Sequence, residues 1–228
     1  MQAVTLDFYE TLIHHRGGSG RGKQYGEYLS SAGLSADPWE HRVLYDVFEH
    51  FAAAHGTATT EESRRSFWIE FTRRLFERTS VRGPGSADHT SHADAIRDIM
   101  GPQAFSLFED ALPLLRSLRA RGLALGIVSD WQRGLSHFVD ELGIGACVDV
   151  VVASAEAGCA KPDPRLFELA RERLGVSASE ILHVGDSLED VEGAQAAGFR
   201  AALLVRSGEP PAVRAPVIRG LHQVLELV

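Results

Sequence analysis

The chain has 228 residues, enough for one large domain or for a core with a smaller insert, since typical domains span about 100–200 residues. Hydrophobic residues make up 44% of it and charged residues 24%, and no stretch approaches the roughly 20 consecutive apolar residues of a membrane-spanning helix. Its formal net charge of -8 disfavours a nucleic-acid surface, because such surfaces are usually basic. We therefore expect a soluble globular protein with neither a membrane nor a nucleic acid as partner.

The amino terminus and the cysteines exclude further classes. Met1 to Asp7 lacks the charged start and the apolar run of about 7–15 residues that mark a secretory signal, so the cytoplasm is the predicted location. Cys147 and Cys159 have no metal-site spacing and no histidine partners at zinc-finger distances. We expect two buried thiols rather than a disulfide or a zinc site.

The first predicted element is a short buried strand, Ala3-Val4-Thr5-Leu6, which ends at Asp7 before a polar loop. From Tyr25 to about Thr79 apolar residues recur at three- and four-residue steps, which predicts an all-helical inserted segment. Within it, Gly56 to Thr60 is a predicted loop whose last residue starts a helix. Arg82 to His92, rich in Gly, Ser, His and Asp, is predicted to be an exposed linker. The helical repeat comprises Tyr28, Leu29, Val43, Leu44, Val47, Phe48, Phe51, Phe67, Trp68, Phe71, Leu75 and Phe76.

Beyond this linker, helices alternate with short apolar runs. The predicted strands are 123–128, 148–153, 181–184 and 201–205, and the predicted helices are 112–121, 135–142, 164–174 and 191–197. Strands that alternate with helices of about ten residues are typical of βαβ units, in which a parallel sheet is covered on both faces. The predicted fold class is therefore α/β, with a doubly wound parallel sheet.

Polar side chains follow the ends of these strands, where ligands bind to parallel sheets. They are Asp7 after the first strand, Ser129 and Asp130 after the second, Lys161 beyond the third, and Asp186 with Asp190 after the fourth. Four separate loops thus bring carboxylates, a hydroxyl and an ammonium group to one edge of the sheet.

These side chains are suited to phosphoryl transfer. Asp7 and Asp186 would repel each other unless a hard cation bound both, and Mg²⁺ binds in this way with one or two carboxylates and phosphate oxygens. An Asp7 oxygen would then attack phosphorus, forming an aspartyl phosphate that water hydrolyses. Lys161 would compensate the negative charge, and the Ser129 hydroxyl would donate a hydrogen bond to a phosphate oxygen.

Four segments in this order resemble the motifs of the haloacid dehalogenase superfamily of hydrolases. They are Asp7-Phe8-Tyr9-Glu10-Thr11-Leu12, Ile127-Val128-Ser129-Asp130, Lys161-Pro162-Asp163-Pro164, and Gly185-Asp186-Ser187-Leu188-Glu189-Asp190. The resemblance implies a Rossmann-like core of residues 1–13 and 104–228 and an α-helical cap of the C1 type formed by residues 14–103. It implies a Mg²⁺ cofactor held by Asp7, the Tyr9 carbonyl and Asp186, with Asp190 and Thr11 in supporting positions.

Tyr9 departs from the family's usual pattern. Most phosphatases of this superfamily carry at that position a second Asp, which acts as the general acid, and a phenol with a pKa of about 10 is a poorer acid–base group near neutral pH. In carrying Tyr at this position, the chain resembles the 2-haloacid dehalogenases, in which an Asp displaces halide from carbon without a metal. Those enzymes have an uncharged sequence in place of Gly-Asp in the fourth motif, whereas this chain keeps Asp186, which would repel an anionic haloacid. Phosphoryl transfer is our first hypothesis, dehalogenation the second, and a catalytically idle binding protein the third.

Several further residues are candidates for substrate binding. The glycine-rich segment 14–23 carries five positive or potentially positive groups, of which Arg16, Arg21 and Lys23 would bind an anionic substrate unless the segment is only a solvated connection. Asp130 and Trp131 follow the second core strand and are the other candidates.

Three histidines are interpreted more simply. His183, inside an apolar strand, is typical of a satisfied core residue, whereas His89 and His92 in the linker have no metal-site spacing. The expected substrate is a small phosphorylated metabolite, and the expected assembly is a monomer or a homodimer.

Overall fold

A computed structural model of the chain describes residues 1–16, 21–39, 43, 47, 60–131 and 133–228. Positions Leu44, Phe48 and Phe51 of the predicted helical repeat lie outside the described residues, as do residues 56–59 of the predicted loop and residues 17–20 of the glycine-rich segment. Among the residues that are described, no helix is both long and apolar enough to cross a membrane.

The described strands and helices alternate along the later part of the chain. In order they are β1 (Ala3–Leu6), β2 (Ile13–His15), α1 (Arg21–Ser31), α2 (Glu61–Arg78), α3 (His89–Met100), β3 (Phe105–Leu107), α4 (Ala111–Ala120), β4 (Ala124–Ser129), α5 (Leu135–Glu141), β5 (Val150–Ala153), α6 (Ser154–Ala157), α7 (Pro164–Leu174), β6 (Ile181–Gly185), α8 (Leu188–Ala196), β7 (Arg200–Leu204) and β8 (Val217–Ile218). A 3-10 helix, Leu221–Glu226, follows β8.

A six-stranded parallel sheet, in the order β5-β4-β1-β6-β7-β8, forms the centre of one compact unit. Thr5 of β1 lies opposite both Gly126 of β4 and His183 of β6, so the loops after these three strands leave the sheet at the same edge. Helices α7 and α8 contact the sheet strands, and α4 contacts β4 and the 3-10 helix. All four residues of β1 are buried, as expected for the central strand of a covered parallel sheet. The predicted α/β fold class is confirmed.

The chain divides into two compact units. The first comprises Met1–His14, Leu107–Trp131 and Phe138–Val228, and the second comprises His15–Ser106 and Gln132–His137. The short strands β2 and β3 form a separate two-stranded sheet. That the inserted segment 14–103 acts as a cap over an active site stays a prediction.

The described part of the second unit is helical and has its own apolar core. Its α2 helix begins after Thr60, whose side chain accepts a hydrogen bond from the backbone N–H of Ser63 in a capping box, so the predicted helix start is confirmed. The buried residues of this core come mainly from α1, α2 and α3, and they include Tyr25, Leu29, Phe67, Trp68, Phe71, Leu75, Phe76, Ile96 and Met100. Phe67, Trp68, Phe71 and Phe76 of the predicted helical repeat are therefore core residues.

The prediction of an exposed linker over Arg82–His92 is wrong for its last four residues, which are helical. Helix α3 begins at His89, because the Asp88 side chain accepts a hydrogen bond from the first turn and so caps the helix. His92 is only 9% exposed, and its Nδ1 lies 2.5 Å from the hydroxyl of Tyr28. His92 is therefore a partnered residue of the second unit's core rather than an incidental linker residue.

The two cysteines are free thiols, as the sequence predicted. Both are half-buried, so the expectation that they would be fully buried is wrong. Cys147 ends a 3-10 turn before β5, and Cys159 lies just beyond the short helix α6 and packs, partly buried, against the apolar core of the first unit.

Gly193 allows α8 to pack closely against its neighbours. A Cβ atom at this position would lie 2.4 Å from Cε2 of Phe167 and 2.9 Å from the carbonyl oxygen of Pro162. We predict that Gly193→Ala lowers the free energy of unfolding, measured in urea, by about 1–3 kcal/mol through overpacking. The matched control is Gly26→Ala in α1, where a Cβ meets no described atom within 4 Å and helix propensity should stabilise the protein by up to about 1 kcal/mol. Equal effects of the two substitutions would contradict this packing.

Candidate active site

The carboxyl ends of β1, β4 and β6 carry the predicted site residues. Asp7 follows β1, Ser129 is the last residue of β4, and Asp186 follows Gly185, the last residue of β6. Because these strands are neighbours in the order β4-β1-β6, the residues after them lie side by side at one edge of the sheet.

The ammonium group of Lys161 lies between two carboxylates. It forms ion pairs with Asp7 and with Asp190, and the distance from Nζ to Oδ1 of Asp190 is 2.5 Å. The Lys161 side chain is 4% exposed, that of Asp7 9% and that of Asp190 2%. Burial alone would lower the pKa of Lys161, but the two carboxylates raise it above its usual value. Lys161 is therefore a permanently charged centre between the first and fourth motifs.

Asp190 is held by its neighbours from several sides. Its Oδ1 accepts a hydrogen bond from Nε2 of His183 at 3.0 Å, and its Oδ2 accepts from the hydroxyl of Ser187 at 2.7 Å. Burial alone would raise the pKa of Asp190, but His183 and Lys161 lower it well below its usual value. A Cβ at Gly185 would lie 2.1 Å from Cγ of Asp190, so glycine makes room for this carboxylate.

The carboxyl groups of Asp7 and Asp186 are harder to ionise. Burial, assisted by the charge of Asp190, raises the pKa of Asp7, while Lys161 opposes this shift. Burial and the charges of Asp7 and Asp190 raise the pKa of Asp186 to about 7. The Asp186 side chain keeps contact with solvent, so water offsets part of its repulsion from the neighbouring carboxylates. Thr11 donates a hydrogen bond to Oδ1 of Asp186 at 3.2 Å.

The donor set at this edge fits a divalent cation. Ligand oxygens of Asp7, Asp186 and Asp190 all lie within 4.8 Å of one another. The oxygens of Asp190 are already bonded to Lys161 and other donors, so Asp7 and Asp186 are the carboxylates available to an ion. Two carboxylates with room for water suit Mg²⁺, which takes oxygen ligands and keeps part of its hydration. Tyr9, 37% exposed, lies in the same loop as Asp7, and the role of its carbonyl as a ligand stays a prediction.

The loop after β4 contributes packing as well as polar groups. Ser129 is 2% exposed, and Asp130 accepts a hydrogen bond from the backbone N–H of Lys161 at 3.0 Å, which fixes the loop that carries this lysine. Trp131 is 7% exposed and packs edge-on against Phe8, with 5.3 Å between the ring centroids. This burial favours a packing role for Trp131, and substrate contact by Asp130 or Trp131 stays a prediction.

The basic candidates Arg16, Arg21 and Lys23 belong to the second unit. Arg16 donates a hydrogen bond from Nε to the backbone carbonyl of Phe105 at 2.9 Å. The Arg21 guanidinium lies 4.7 Å from the centroid of the Phe105 ring. Lys23, whose side chain is 70% exposed, forms an ion pair with Glu27 at 3.8 Å. Each residue thus has a contact inside its own unit, and their role in substrate binding stays a prediction.

A family model matches most of the chain. Residues 1–198 match the model of haloacid dehalogenase-like hydrolases. The chain belongs to this family.

Individual relatives extend over similar lengths. The chain is 33% identical over 218 residues to haloacid dehalogenase-like hydrolase domain-containing protein 3 of Mus musculus, which covers 92% of this chain and 84% of that protein. It is 31% identical over 179 residues to the phosphoserine phosphatase of Thermus thermophilus, with 76% and 70% covered.

Solved structures of this family share the fold. A HAD phosphatase from Thermococcus onnurineus matches with a TM-score of 0.65 at 22% identity, covering 100% of this chain and 97% of that one. A 2-haloacid dehalogenase from Pseudomonas syringae matches with a TM-score of 0.62 at 24% identity and the same coverage. At these identities the likeness shows the fold alone, and phosphatases and dehalogenases both have it.

Arg206 supports the site, although the sequence analysis did not single it out. It follows β7 and donates through Nη2 to Oδ1 of Asp110 at 3.0 Å and to the carbonyl of Thr11 at 2.8 Å. Its guanidinium lies 3.6 Å from the centroid of the Phe108 ring. Because Thr11 in turn bonds Asp186, Arg206 braces the loop that orients this carboxylate. An isolated arginine after a strand has no sequence signal that distinguishes it from a surface arginine.

We predict that Asp186→Asn stabilises the metal-free protein above pH 7. The pKa of Asp186 is raised to about 7 in the fold, so wild type loses stability as pH rises towards that value and the carboxylate forms. After discounting for solvent contact, we expect roughly 1 kcal/mol, or a Tm higher by about 2–4 °C, at pH 8 and no difference near pH 4. Glu189→Gln, an exposed neighbour, is the control and should leave Tm unchanged. If the Asp186→Asn protein were no more stable than wild type at pH 8, the raised pKa of Asp186 would be contradicted.

Proposed function

We propose that this hydrolase is a Mg²⁺-dependent phosphatase that cleaves a small phosphorylated metabolite in the cytoplasm through an aspartyl nucleophile, Asp7. The observation that carries the proposal is the Asp7 carboxylate, which is bonded to buried Lys161 on one side and lies near Asp186 on the other. The phosphatase relative from Thermus thermophilus supports the same class of substrate.

The proposed reaction has two steps at Asp7. Lys161 bonds Oδ1 of this carboxylate, so we assign the attack on phosphorus to Oδ2. A P–O bond forms to Asp7 as the bond from phosphorus to the substrate's leaving oxygen breaks, and a proton reaches that oxygen from solvent or another donor. Water then attacks the aspartyl phosphate, releasing inorganic phosphate and restoring the carboxylate. Lys161 and the Ser129 hydroxyl stabilise the charge on the transferring group.

Asp7, Asp186 and the Tyr9 carbonyl would hold the magnesium ion. When bound, the ion supplies positive charge that offsets the repulsion between the two carboxylates and the charge of the phosphate. The hydrogen bond from Thr11 orients Asp186 for this role, and Asp190 serves the site through Lys161 rather than as a ligand.

Dehalogenation is the second candidate, and the observation that favours it is Tyr9, a partly exposed phenol two residues after the nucleophile. Asp186 weighs against it, because a second carboxylate near Asp7 would repel a haloacid anion. A catalytically idle protein would have no need for a buried cluster of one ammonium and several carboxylates, since such burial costs stability.

The first prediction from this proposal concerns the nucleophile. Wild type should release phosphate from an aryl phosphate in Mg²⁺ and lose this activity in EDTA, and Asp7→Asn should lower turnover by about 10³-fold or more. Reduction of quenched enzyme with borohydride should convert phosphorylated Asp7 to homoserine, which mass spectrometry detects. An Asp7→Asn enzyme with full turnover is incompatible with the proposal. Halide release from a 2-haloacid in EDTA would support dehalogenation instead.

A second prediction concerns the metal. Saturating Mg²⁺, at about 100 times its Kd, should stabilise the wild-type protein by about 2.7 kcal/mol and raise Tm by about 5 °C or more. The rise should shrink below pH 7, because protonation of Asp186 competes with the ion. Asp186→Asn should abolish most of the rise, whereas Glu189→Gln should keep it. A Tm that responds to Mg²⁺ equally in all three proteins would place the ion elsewhere.

A further inference from the structure

His183 connects the middle of the sheet to the charged cluster. It lies in β6, is 0% exposed, and faces Thr5 of the central strand β1 in the parallel register. Its Nδ1 lies 2.9 Å from the Thr5 hydroxyl, and its Nε2 lies 3.0 Å from Oδ1 of Asp190. Both ring nitrogens are therefore engaged, one by the sheet and one by the cluster.

The partners of His183 define where its proton sits. The ionised carboxylate of Asp190 can only accept a hydrogen bond, so Nε2 carries the hydrogen, and Nδ1 accepts from the hydroxyl of Thr5. Burial lowers the pKa of His183, and this keeps the imidazole neutral despite the nearby carboxylate. The ring of Phe167 packs edge-on at 4.9 Å between centroids and limits rotation of the imidazole.

Asp190 transmits this contact to the nucleophile. Its Oδ1 accepts from both His183 and Lys161, while its Oδ2 accepts from the hydroxyl of Ser187. Lys161 in turn bonds Asp7. A continuous series of hydrogen bonds thus runs from Thr5 through His183, Asp190 and Lys161 to Asp7.

We propose that His183 is a positioning residue that holds the Asp190 carboxylate, and through it the Lys161 ammonium, in place against Asp7. A core histidine that only fills space would be replaceable without effect on Lys161. Here the Nε2–H donor is the part that matters, because it binds the same carboxylate oxygen as the ammonium group does. The kinetic consequence rests on the proposed phosphatase function, whereas the structural consequence does not.

The chain provides an internal reference for a test without any substrate. It has two lysines, Lys161 and Lys23, and the Lys23 side chain is 70% exposed. We expect acetic anhydride to acetylate Lys161 far more slowly than Lys23 in the folded wild-type protein, as measured by peptide mass spectrometry. The ratio of the two rates reports how firmly the carboxylates hold Lys161.

The matched variants are His183→Asn and His183→Gln. Both side chains are amides, but the longer Gln places its N–H donor near the position of Nε2, whereas Asn reaches only the Thr5 side. We predict that His183→Asn raises the relative acetylation rate of Lys161 about tenfold or more, and that His183→Gln stays near wild type. The control for a general loss of stability is Leu118→Ala, which leaves a cavity beside the fully buried α4 position without touching the charged cluster.

If an unpaired buried amide prevents the single variants from folding, the double variant His183→Leu/Thr5→Val replaces both polar partners by apolar side chains. It should show the same loss of protection of Lys161 from acetylation. Unchanged protection of Lys161 in a folded variant that lacks the Nε2 donor would overturn the proposal. An equal loss of protection in Leu118→Ala at similar Tm would overturn it as well.

The kinetic readout separates positioning from substrate binding. With an aryl phosphate, His183→Asn should lower kcat about 10- to 100-fold while KM and the Mg²⁺ concentration for half-maximal rate stay unchanged, and His183→Gln should restore kcat. Unchanged kcat in His183→Asn would overturn the proposal. If wild type itself releases no phosphate, the phosphatase function fails, and the acetylation ratio still decides the role of His183.

Discussion

The buried ammonium group of Lys161 between Asp7 and Asp190 is the interaction on which the rest of the site depends. A charge at 4% side-chain exposure is stable only when opposite charges and hydrogen bonds surround it, because isolated burial costs several kcal/mol. Its partners come from distant parts of the sequence, the end of β1 and the first turn of α8. The parallel register of the sheet must therefore be correct before the pair can form, which couples the site to the fold.

The same edge of the sheet carries an opposing, unfavourable interaction. Asp186 lies near two other carboxylates, and burial together with the charges of Asp7 and Asp190 raises its pKa to about 7. A bound cation would relieve the repulsion between these carboxylates. The free energy lost to this repulsion in the metal-free protein would then be recovered on binding and would strengthen the affinity for the ion. Arg206 and Thr11 limit the freedom of Asp186 to move away. Under the proposed magnesium function, a carboxylate that destabilises the metal-free protein would thus serve to bind the ion.

The sequence predicted the parts of the structure that depend on local pattern. Buried strands such as β1 and β6 are short, mainly apolar runs, each followed directly by an aspartate, Asp7 or Asp186. The start of α8 was missed because the apolar periodicity begins only at Val191, although the Ser187-x-x-Asp190 capping box marks the true start. The start of α3 was not predicted, because its first turn, His89 to His92, is polar and has the composition of a linker. The contacts of His183 and Arg206 are long-range, and no local pattern reveals such partners.

We infer that Asp7 and Asp186 bind one divalent ion beside the Lys161 ion pair. Crystals of the protein soaked in Mn²⁺, which takes the same oxygen ligands as Mg²⁺ and scatters anomalously, test it directly. We expect one anomalous peak within coordination distance of both carboxylates, with Lys161 still bonded to Asp7 and Asp190. A peak bound to Asp190 in place of Lys161, or no peak between residues 7 and 186 at saturating Mn²⁺, would contradict it.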